Sequence, residues 1–326
     1  MPDLEVRRES WPLAQVFTIS RGSKTDAQVA VAELAQGGQV GRGECVPYAR
    51  YGESLDSVVA QIETLRADLA AGMTRQDLQS ALPAGAARNA LDCAFWDLEA
   101  KTAGQRVWDL AGLPAPGPVT SAYTLSLDSA EKMRASAAEN AHRPLLKLKL
   151  SGPDDLARVE AVRAGAPDAR LIVDANEGWD LRDYETLAGP LKGLGVEMIE
   201  QPLPAGQDQD LATLDRSVPL CADESCHDRG SLTALKGRYD IVNIKLDKTG
   251  GLTEALKLKA AAEAAGFGIM VGCMVATSLA MAPALLVAQG AAIVDLDGPL
   301  LMAKDRANGL TFEGSLVHPP KAELWG

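Results

Sequence analysis

Lysine and carboxylate side chains recur at the ends of short apolar runs in the second half of this 326-residue chain. In chain order they are Lys147, Lys149, Asp174, Glu200, Asp223, Lys245, Asp295 and Asp297. Successive runs up to Lys245 begin about 22–27 residues apart, close to the length of one strand plus one helix. Because carboxylates bind cations and lysines transfer protons, the set has the composition of an active site.

Three of the carboxylates, Asp174, Glu200 and Asp223, end three consecutive runs. Neighbouring strands of a sheet lie about 5 Å apart, so these side chains could reach one ion. The chain has three histidines, and none follows an apolar run, so a bound metal would have oxygen ligands. Such a ligand set favours Mg²⁺. The alternative is that each acid caps a helix or pairs with a lysine.

Two lysines flank the proposed metal site along the chain. The segment Leu145–Leu150 alternates apolar and cationic residues, which is typical of a strand with Lys147 and Lys149 on one face. In an eight-stranded ring, the strand of Lys245 lies opposite that of Lys149. One base on each face of a substrate permits 1,1-proton transfer at a carbon next to a carboxylate, through an enediolate. Lys147 is expected to pair with the substrate carboxylate.

The same alternation places two asparagines beside these ionisable residues. Asn176 shares a strand face with Asp174, and Asn243 shares one with Lys245. Both asparagines are therefore candidates to support the metal ligands and the lysine by hydrogen bonding.

The elements that must position these residues form a repeating pattern. Eight apolar runs and seven intervening helical segments over about residues 116–299 predict a parallel β/α barrel whose strand ends meet at one mouth. Its first strand is expected at Val119–Leu125, and a helix near Asp210–Arg216 should connect the fourth and fifth strands. Residues 1–115 combine a hairpin with helices, which predicts an α+β domain. The tail from about residue 300 to 326 should pack on that domain.

Composition and charge exclude several functional classes. The net charge of −12 and the pI near 4.8 argue against nucleic-acid and anionic-membrane partners. The charged segment Met1–Glu9 lacks the apolar stretch of a signal peptide. The uncharged run Phe267–Val294 contains glycines and a proline, so two strands and a helix fit it better than a membrane span. Five scattered cysteines without a C-x-x-C pair predict a reduced, cytoplasmic protein. The sequence is also compatible with a homo-oligomer.

Five motifs resemble those of the enolase superfamily, in its muconate-lactonizing subgroup. They are Lys147-x-Lys149, Asp174-Ala-Asn-Glu-Gly-Trp, Glu200-Gln-Pro, Asp223-Glu-Ser and Asn243-Ile-Lys245-x-x-Lys248-x-Gly-Gly. The order and spacing of the motifs match over the whole chain. The resemblance implies a modified (β/α)7β barrel of the TIM type, an N-terminal α+β capping domain and Mg²⁺ as cofactor. It also implies Lys149 and Lys245 as the acid/base pair.

The Asp-x-Asp motif of Asp295 and Asp297 resembles that of dipeptide epimerases in this subgroup, which implies that the pair holds the α-ammonium group of a dipeptide. Two carboxylates that face one cation form a charged clamp; the alternative is a solvated loop. Arg21 resembles a capping-domain residue of the L-Ala-D/L-Glu epimerases, and it is expected to pair with the glutamate side chain of the substrate. Tyr48, in a second lid loop, and Met274, on the floor, complete the predicted substrate contacts.

The predicted activity is Mg²⁺-dependent epimerisation of a dipeptide at the α-carbon of its C-terminal residue, with L-Ala-D/L-Glu as the expected dipeptide. Three other enzymes of the subgroup share the machinery, namely o-succinylbenzoate synthase, cycloisomerase and N-acylamino acid racemase. Their substrates lack a free ammonium group, so the Asp-x-Asp pair argues against them. A Schiff-base aldolase with Lys245 as nucleophile is an alternative of a different class, and it would need no metal.

Overall fold

The structure is a computed structural model that describes residues 2–214 and 216–326. It begins with a sheet of three antiparallel strands, β1 (Asp3–Ile19), β2 (Gly22–Gln36) and β3 (Gln39–Cys45). The tight turn between β2 and β3 uses Gly37 and Gly38, whose φ angles of 60° and 81° suit glycine. This turn confirms the hairpin that the sequence predicts.

Within the described chain, five α-helices follow this sheet. They are α1 (Leu55–Thr64), α2 (Arg66–Ala71), α3 (Arg75–Ala81), α4 (Ala86–Ala103) and α5 (Val107–Leu110). Helix α4 packs so closely on β3 that an ideal Cβ on Gly43 would lie 2.0 Å from the carbonyl oxygen of Ala90. Because α4 also contacts the barrel, nearly all of its side chains are buried, which explains its alanine-rich sequence.

After the short strand β4 (Val119–Thr120), a sheet of eight parallel strands runs in chain order through the described residues. Its strands are β5 (Tyr123–Leu125), β6 (Leu145–Lys149), β7 (Arg170–Asp174), β8 (Val196–Glu200), β9 (Leu220–Ala222), β10 (Ile241–Ile244), β11 (Gly268–Gly272) and β12 (Ile293–Asp295). The sheet closes where the amide of Ala122 donates to the carbonyl of Val294 over 2.8 Å. The predicted barrel is confirmed.

Helices connect most of these strands and cover the outside of the barrel. They are α6 (Ala130–Glu139), α7 (Asp155–Gly165), α8 (Leu181–Gly193), α9 (Leu232–Leu235), α10 (Leu246–Thr249), α11 (Leu252–Ala264) and α12 (Ser278–Ala288). The uncharged run Phe267–Val294 thus contains β11, α12 and most of β12, as predicted. No helix in the described ranges has the length and apolar character needed to cross a membrane.

The first barrel strand is shorter than predicted, because the segment Val119–Leu125 divides between two sheets. Strand β4 pairs with β14 (Leu316–Val317), which pairs in turn with β13 (Phe312–Glu313). The division falls between two consecutive residues. The amide of Ser121 donates to the carbonyl of Ser315, whereas the amide of Ala122 donates to the carbonyl of Val294 in the last barrel strand.

The helix predicted near Asp210–Arg216 is wrong. The described residues there form a short 3₁₀ turn, Gln209–Ala212, and residue 215 lies outside the described ranges. The carboxylate of Asp208, which precedes the turn, accepts hydrogen bonds from Ser225 over 2.6 Å and from Tyr239 over 2.8 Å. These inward contacts tie the segment to the barrel, and the aspartate is not available to cap a helix.

The C-terminal tail contacts the N-terminal part of the chain, as expected. The indole of Trp325 donates to the carbonyl of Cys93 over 3.0 Å, and the amide of Gly326 donates to Asp97 over 2.7 Å. Arg306 forms ion pairs of 2.5 Å with Glu9 and with Glu44. The limits of the two domains, near residues 115 and 300, stay a prediction.

We expect Gly43→Ala to lower the free energy of unfolding by about 3 kcal/mol, because the added methyl group has no room against α4. Chemical denaturation followed by circular dichroism measures this loss. A matched control is Gly193→Ala at the end of α8, where no atom lies within 4 Å of the added Cβ. The control should stay within about 0.5 kcal/mol of the wild type. Equal stability of the Gly43→Ala protein and the wild type would contradict the close packing.

Candidate active site

Asp174, Glu200 and Asp223 meet at the mouth of the barrel. Asp174 and Glu200 end neighbouring strands and are partners in the register of β7 and β8, while Asp223 directly follows β9. One oxygen from each side chain lies within 4.8 Å of the others, and all three residues are buried. A buried set of three carboxylate oxygens fits a hard cation such as Mg²⁺. The structure therefore brings together the acidic triad that the sequence predicts.

Burial and neighbouring charges shift the pKa values of this acidic triad in opposite directions. Burial and the nearby Asp174 carboxylate raise the pKa of Glu200. Burial opposes the ionised form of Asp174 as well, but two lysines outweigh it and lower the pKa to about 2. Lysines also outweigh burial at Asp223, whose pKa lies well below its ordinary value. Glu200 is therefore the triad member whose surroundings raise its pKa and disfavour its ionised form.

Lys149 and Lys245 extend from β6 and from the end of β10, on opposite sides of the triad. Lys149 Nζ lies 2.6 Å from Asp174 Oδ2, and Lys245 Nζ lies 2.6 Å from Asp223 Oδ2. Burial lowers the pKa of Lys245, but Asp223 and other carboxylates raise it more, so the ammonium form is favoured. The two ammonium groups therefore bracket the triad, as two-sided proton transfer requires.

Lys147 contacts three carboxylates at once. Its Nζ lies 2.7 Å from Glu200 Oε2, 2.7 Å from Asp295 Oδ2 and 3.3 Å from Asp174 Oδ2, and its side chain is 2% exposed. Burial lowers the pKa of Lys147, but the three carboxylates raise it to well above its ordinary value. Lys147 thus links the triad to the last strand. Its pairing with a substrate carboxylate stays a prediction.

The two predicted asparagines support the triad in different ways. The side chain of Asn243 donates to Glu200 Oε1 over 2.7 Å. In contrast, Asn176 donates its backbone N–H to Asp174 Oδ1 over 2.9 Å. Asn176 and Glu177 have φ angles of 47° and 63°. This left-handed conformation costs on the order of 1–3 kcal/mol for a residue other than glycine, so the loop after β7 is strained where it supports Asp174.

Two further residues hold Asp223 and were not among the predicted site residues. Lys248 Nζ donates to Asp223 Oδ1 and to the carbonyl oxygen of Asp223, each over 2.6 Å. Gln201 Oε1 accepts the backbone N–H groups of Asp223 and Ser225 over 2.9 and 3.1 Å. Lys248 and Gln201 both lie within the sequence motifs quoted above. Their place in these motifs is the sequence signal that could have identified them as site residues.

Asp295 and Asp297 both reach the cavity, but different groups hold them. Asp295 pairs with Lys147, whereas Asp297 Oδ2 accepts the backbone N–H of Thr124 over 2.6 Å. Burial and the Asp295 carboxylate raise the pKa of Asp297 to about 7. A cation beside Asp297 would stabilise its ionised form. A substrate ammonium group at this position would therefore gain a favourable ion pair.

A cavity of about 680 Å³ lies above the triad, between the barrel mouth and the N-terminal strands. The predicted residues on its wall are Arg21, Tyr48, Lys147, Lys149, Asn176, Asp223, Lys245, Met274, Asp295 and Asp297. The remaining three lie below this wall: Asp174 and Glu200 contact Lys147 of the wall, and Asn243 contacts Glu200. The tip of the β1–β2 hairpin and the 3₁₀ turn Ala49–Tyr51 cover the cavity and form its lid.

Two of the three lid cations, Arg21 and Lys24, have different surroundings, and the third is Arg50. Arg21 donates to Glu224 over 2.6 Å, to the Tyr48 hydroxyl over 2.7 Å and to Glu177 over 3.1 Å. Lys24 lines the same cavity, and its Nζ lies 5.5 Å from the centre of the Tyr48 ring. Within residues 2–214 and 216–326, no carboxylate pairs with Lys24. Lys24 was not among the predicted site residues, because only the fold places it in the cavity without a carboxylate partner in the described chain.

Models of two protein domains match the chain. Residues 1–112 match the mandelate racemase / muconate lactonizing enzyme N-terminal domain, and residues 128–321 match the enolase C-terminal domain-like family. The chain is 48% identical to the L-Ala-D/L-Glu epimerase of Escherichia coli (strain K12), over 98% of this chain and 100% of that protein. It is 49% identical to an N-acetyl-D-glutamate racemase of Pseudoalteromonas sp., over 88% of this chain and 91% of that protein.

Solved structures agree with these matches. An enolase family member from Agrobacterium tumefaciens with homology to dipeptide epimerases, which contains bound sodium and L-Ala-L-Glu, has a TM-score of 0.98, 55% identity and 100% coverage of both chains. A dipeptide epimerase from Enterococcus faecalis V583, complexed with Mg and L-Leu-L-Tyr, has a TM-score of 0.89 and 29% identity, with 98% of this chain and 97% of that chain covered. The chain therefore belongs to the mandelate racemase/muconate lactonizing enzyme family of the enolase superfamily.

Proposed function

We propose that this protein is a Mg²⁺-dependent dipeptide epimerase that inverts the α-carbon of the C-terminal residue, with L-Ala-D/L-Glu as its dipeptide. The observation that carries the proposal is the placement of Lys149 and Lys245 on opposite sides of one buried carboxylate triad. The names of the Escherichia coli relative and the dipeptide in the Agrobacterium tumefaciens structure support the substrate class.

The reaction needs a proton to leave one face of the α-carbon and another to arrive on the opposite face. The acidic triad would hold the Mg²⁺, which supplies positive charge next to the substrate carboxylate. Lys149 or Lys245 takes the α-proton, and the other lysine, as an ammonium group, returns one from the opposite face. The carbon passes through an enediolate between these two steps. Asp174 and Asp223 stabilise each lysine when it is protonated, and Asn176 and Asn243 support the acidic triad.

Lys147, Asp295 and Asp297 serve the two ends of the dipeptide backbone in this proposal. Lys147 lies between the triad and Asp295, so its ammonium group can pair with the substrate carboxylate and remain bonded to Asp295. Asp297 is buried and pairs with no lysine or arginine in the described parts of the chain. The α-ammonium group of the dipeptide supplies that missing cation.

The side-chain carboxylate of a substrate glutamate would meet two cations at the lid. Arg21 is the residue expected from the sequence, but it already contacts two protein carboxylates. Lys24 has no such partner among the described residues, and we therefore assign the substrate side chain primarily to Lys24, with Arg21 as a second cation. Tyr48 and Met274 line the same cavity and would enclose the side chain.

Racemisation of an N-acylated glutamate is the second candidate, and the 49% identity to an N-acetyl-D-glutamate racemase favours it. With a pKa of about 7, raised by burial and by Asp295, the Asp297 carboxyl group can also donate a hydrogen bond to an acyl oxygen. The substrates of o-succinylbenzoate synthase and cycloisomerase offer Asp297 no cation. A Schiff-base aldolase is disfavoured because it needs one lysine and no metal, whereas here two lysines flank a buried carboxylate triad that fits a metal.

The proposal extends to the organisation of the protein. Residues 1–115, completed by about residues 300–326, form the capping domain, and residues 116–299 form the catalytic barrel. The five free cysteines, four of them buried, support a reduced, cytoplasmic location. The net charge of −12 disfavours a nucleic-acid partner. A homo-oligomer is compatible with this organisation.

The first test is ¹H NMR of L-Ala-L-Glu in D₂O with the protein and Mg²⁺. We expect deuterium to enter at the glutamate α-carbon while L-Ala-D-Glu accumulates, because different lysines remove and return the proton. EDTA should stop both changes, and fresh Mg²⁺ should restore them. If a panel of dipeptides keeps its α-protons, the dipeptide assignment is wrong, and N-acetylglutamate in the same assay tests the second candidate.

We expect Lys149→Ala and Lys245→Ala each to slow epimerisation about 1,000-fold, within the usual range for loss of a general acid or base. Each variant should still exchange the α-proton of one diastereomer in D₂O, and the diastereomer should differ between the two variants. Lys132→Ala, at a lysine that is 72% exposed, serves as the control and should match the wild type. Full epimerisation by either active-site variant would refute the two-lysine scheme.

We expect Asp297→Asn to raise KM for L-Ala-L-Glu about 30-fold, since a neutral amide cannot replace a buried carboxylate that faces an ammonium group. Steady-state kinetics measures the change. The substitution Asp128→Asn, at a surface aspartate paired with Lys132, should have no effect. An unchanged KM in the Asp297→Asn protein would rule out the ammonium site.

A further inference from the structure

One buried carboxylate that the proposed reaction does not use joins both segments of the lid. Glu177 lies in the loop after β7, and its side chain is 7% exposed. Its Oε1 accepts from Arg50 and from the amide of Ala205, each over 2.8 Å. Its Oε2 accepts from Arg50 over 2.7 Å and from Arg21 over 3.1 Å. Donors from three separate segments therefore use both oxygens of Glu177.

The two arginines come from different parts of the lid. Arg21 stands at the tip of the β1–β2 hairpin, and Arg50 stands in the 3₁₀ turn Ala49–Tyr51. Among the described residues, Glu177 is the one carboxylate that forms ion pairs with both. Arg50 has no second ion pair in those ranges, whereas Arg21 also contacts Glu224. Loss of Glu177 would thus remove the ion pair of the second lid segment and weaken the hold on the first.

The lid also bonds to the strained backbone beside Glu177. The carbonyl oxygen of Asn176 accepts from the Ser20 hydroxyl over 2.8 Å and from Arg21 over 2.7 Å. The N–H of Asn176 donates to Asp174 Oδ1, so one left-handed residue faces the lid through its carbonyl and the acidic triad through its amide. The lid contacts therefore fall on the carbonyl of the same residue whose N–H orients Asp174.

We propose that Glu177 is a positioning residue that holds both lid segments over the cavity and thereby supports the loop whose Asn176 N–H bonds to Asp174. Glu177 is not on the wall of the cavity, so it acts through Arg21, Arg50 and Asn176 rather than through the substrate. Because the Glu177 side chain is only 7% exposed, its ion pair with Arg21, which is 26% exposed, is screened less by solvent than a pair between two fully exposed side chains. The expected effect on turnover rests on the proposed epimerase function, whereas the effect on the lid does not.

Kinetics of Glu177→Gln and Glu177→Ala test the effect on the reaction. We expect KM for L-Ala-L-Glu to rise at least about tenfold and kcat to change less than about threefold, because the lysines and the triad remain. The double variant Glu177→Ala/Arg50→Ala should be no worse than Glu177→Ala, since both changes remove one interaction. Glu197→Gln is the matched control, because Glu197 forms a bidentate pair with Arg170 on the surface. It should match the wild type.

Limited trypsin digestion tests the lid independently of turnover. Trypsin cleaves after Arg21, Lys24 and Arg50, and mass spectrometry identifies these cuts. We expect Glu177→Gln to shorten the half-life of the native protein at these sites at least about fivefold, with Glu197→Gln and the wild type equal and all three melting temperatures alike. An unchanged tryptic half-life overturns the proposal, as does an unchanged KM. If the wild type lacks epimerase activity but Glu177→Gln opens the lid, the proposed function fails and the hold on the lid stands.

Discussion

The burial of three carboxylates at one barrel mouth is the constraint on which the rest of the structure depends. Like charges repel and lose hydration when they are buried, so such a cluster is stable only with cations and hydrogen-bond donors around it. The lysines that surround it are Lys147, Lys149, Lys245 and Lys248. Lys147 and Lys149 lie in β6, Lys245 follows β10, and Lys248 lies in α10. The negative charge of the triad is therefore balanced only when β6 and β10 hold their places in the barrel. The chemistry and the stability of the barrel mouth therefore use the same groups.

Helix α4 of the N-terminal domain bonds to the segment that carries Lys248, one of these lysines. Arg88 donates to the carbonyl oxygens of Thr249 over 2.7 Å and Gly250 over 3.1 Å, at the end of the short helix α10 that carries Lys248. An ideal Cβ on Gly250 would lie 2.4 Å from Arg88, and the φ of Gly250 is 73°. The backbone conformation of this position in the Lys-x-Gly-Gly motif thus favours glycine, and a larger residue would also displace the Arg88 side chain. The lid and the lysine turn are held by the same N-terminal domain.

Local patterns predicted the barrel and most of the site, because both follow from short-range rules. A strand exposes alternate residues on one face, and parallel strands of a barrel present their carboxyl ends at one mouth. Asp174, Glu200 and Asp223 could therefore be grouped before any coordinates were known. The same rules failed at Val119–Leu125 and near Asp210–Arg216, where hydrogen bonds to distant segments override the local preference.

The sequence by itself determined which side chains end the strands and hence the acidic triad and the lysines beside it. Only the tertiary structure decided which partner each charge takes. Lys147 lies among three carboxylates, Arg21 is occupied by protein acids while Lys24 is unpaired in the described chain, and Glu177 receives both lid segments. These partners are separated by tens to hundreds of positions in the chain. No periodicity encodes such pairs, because they depend on how the N-terminal domain docks on the barrel.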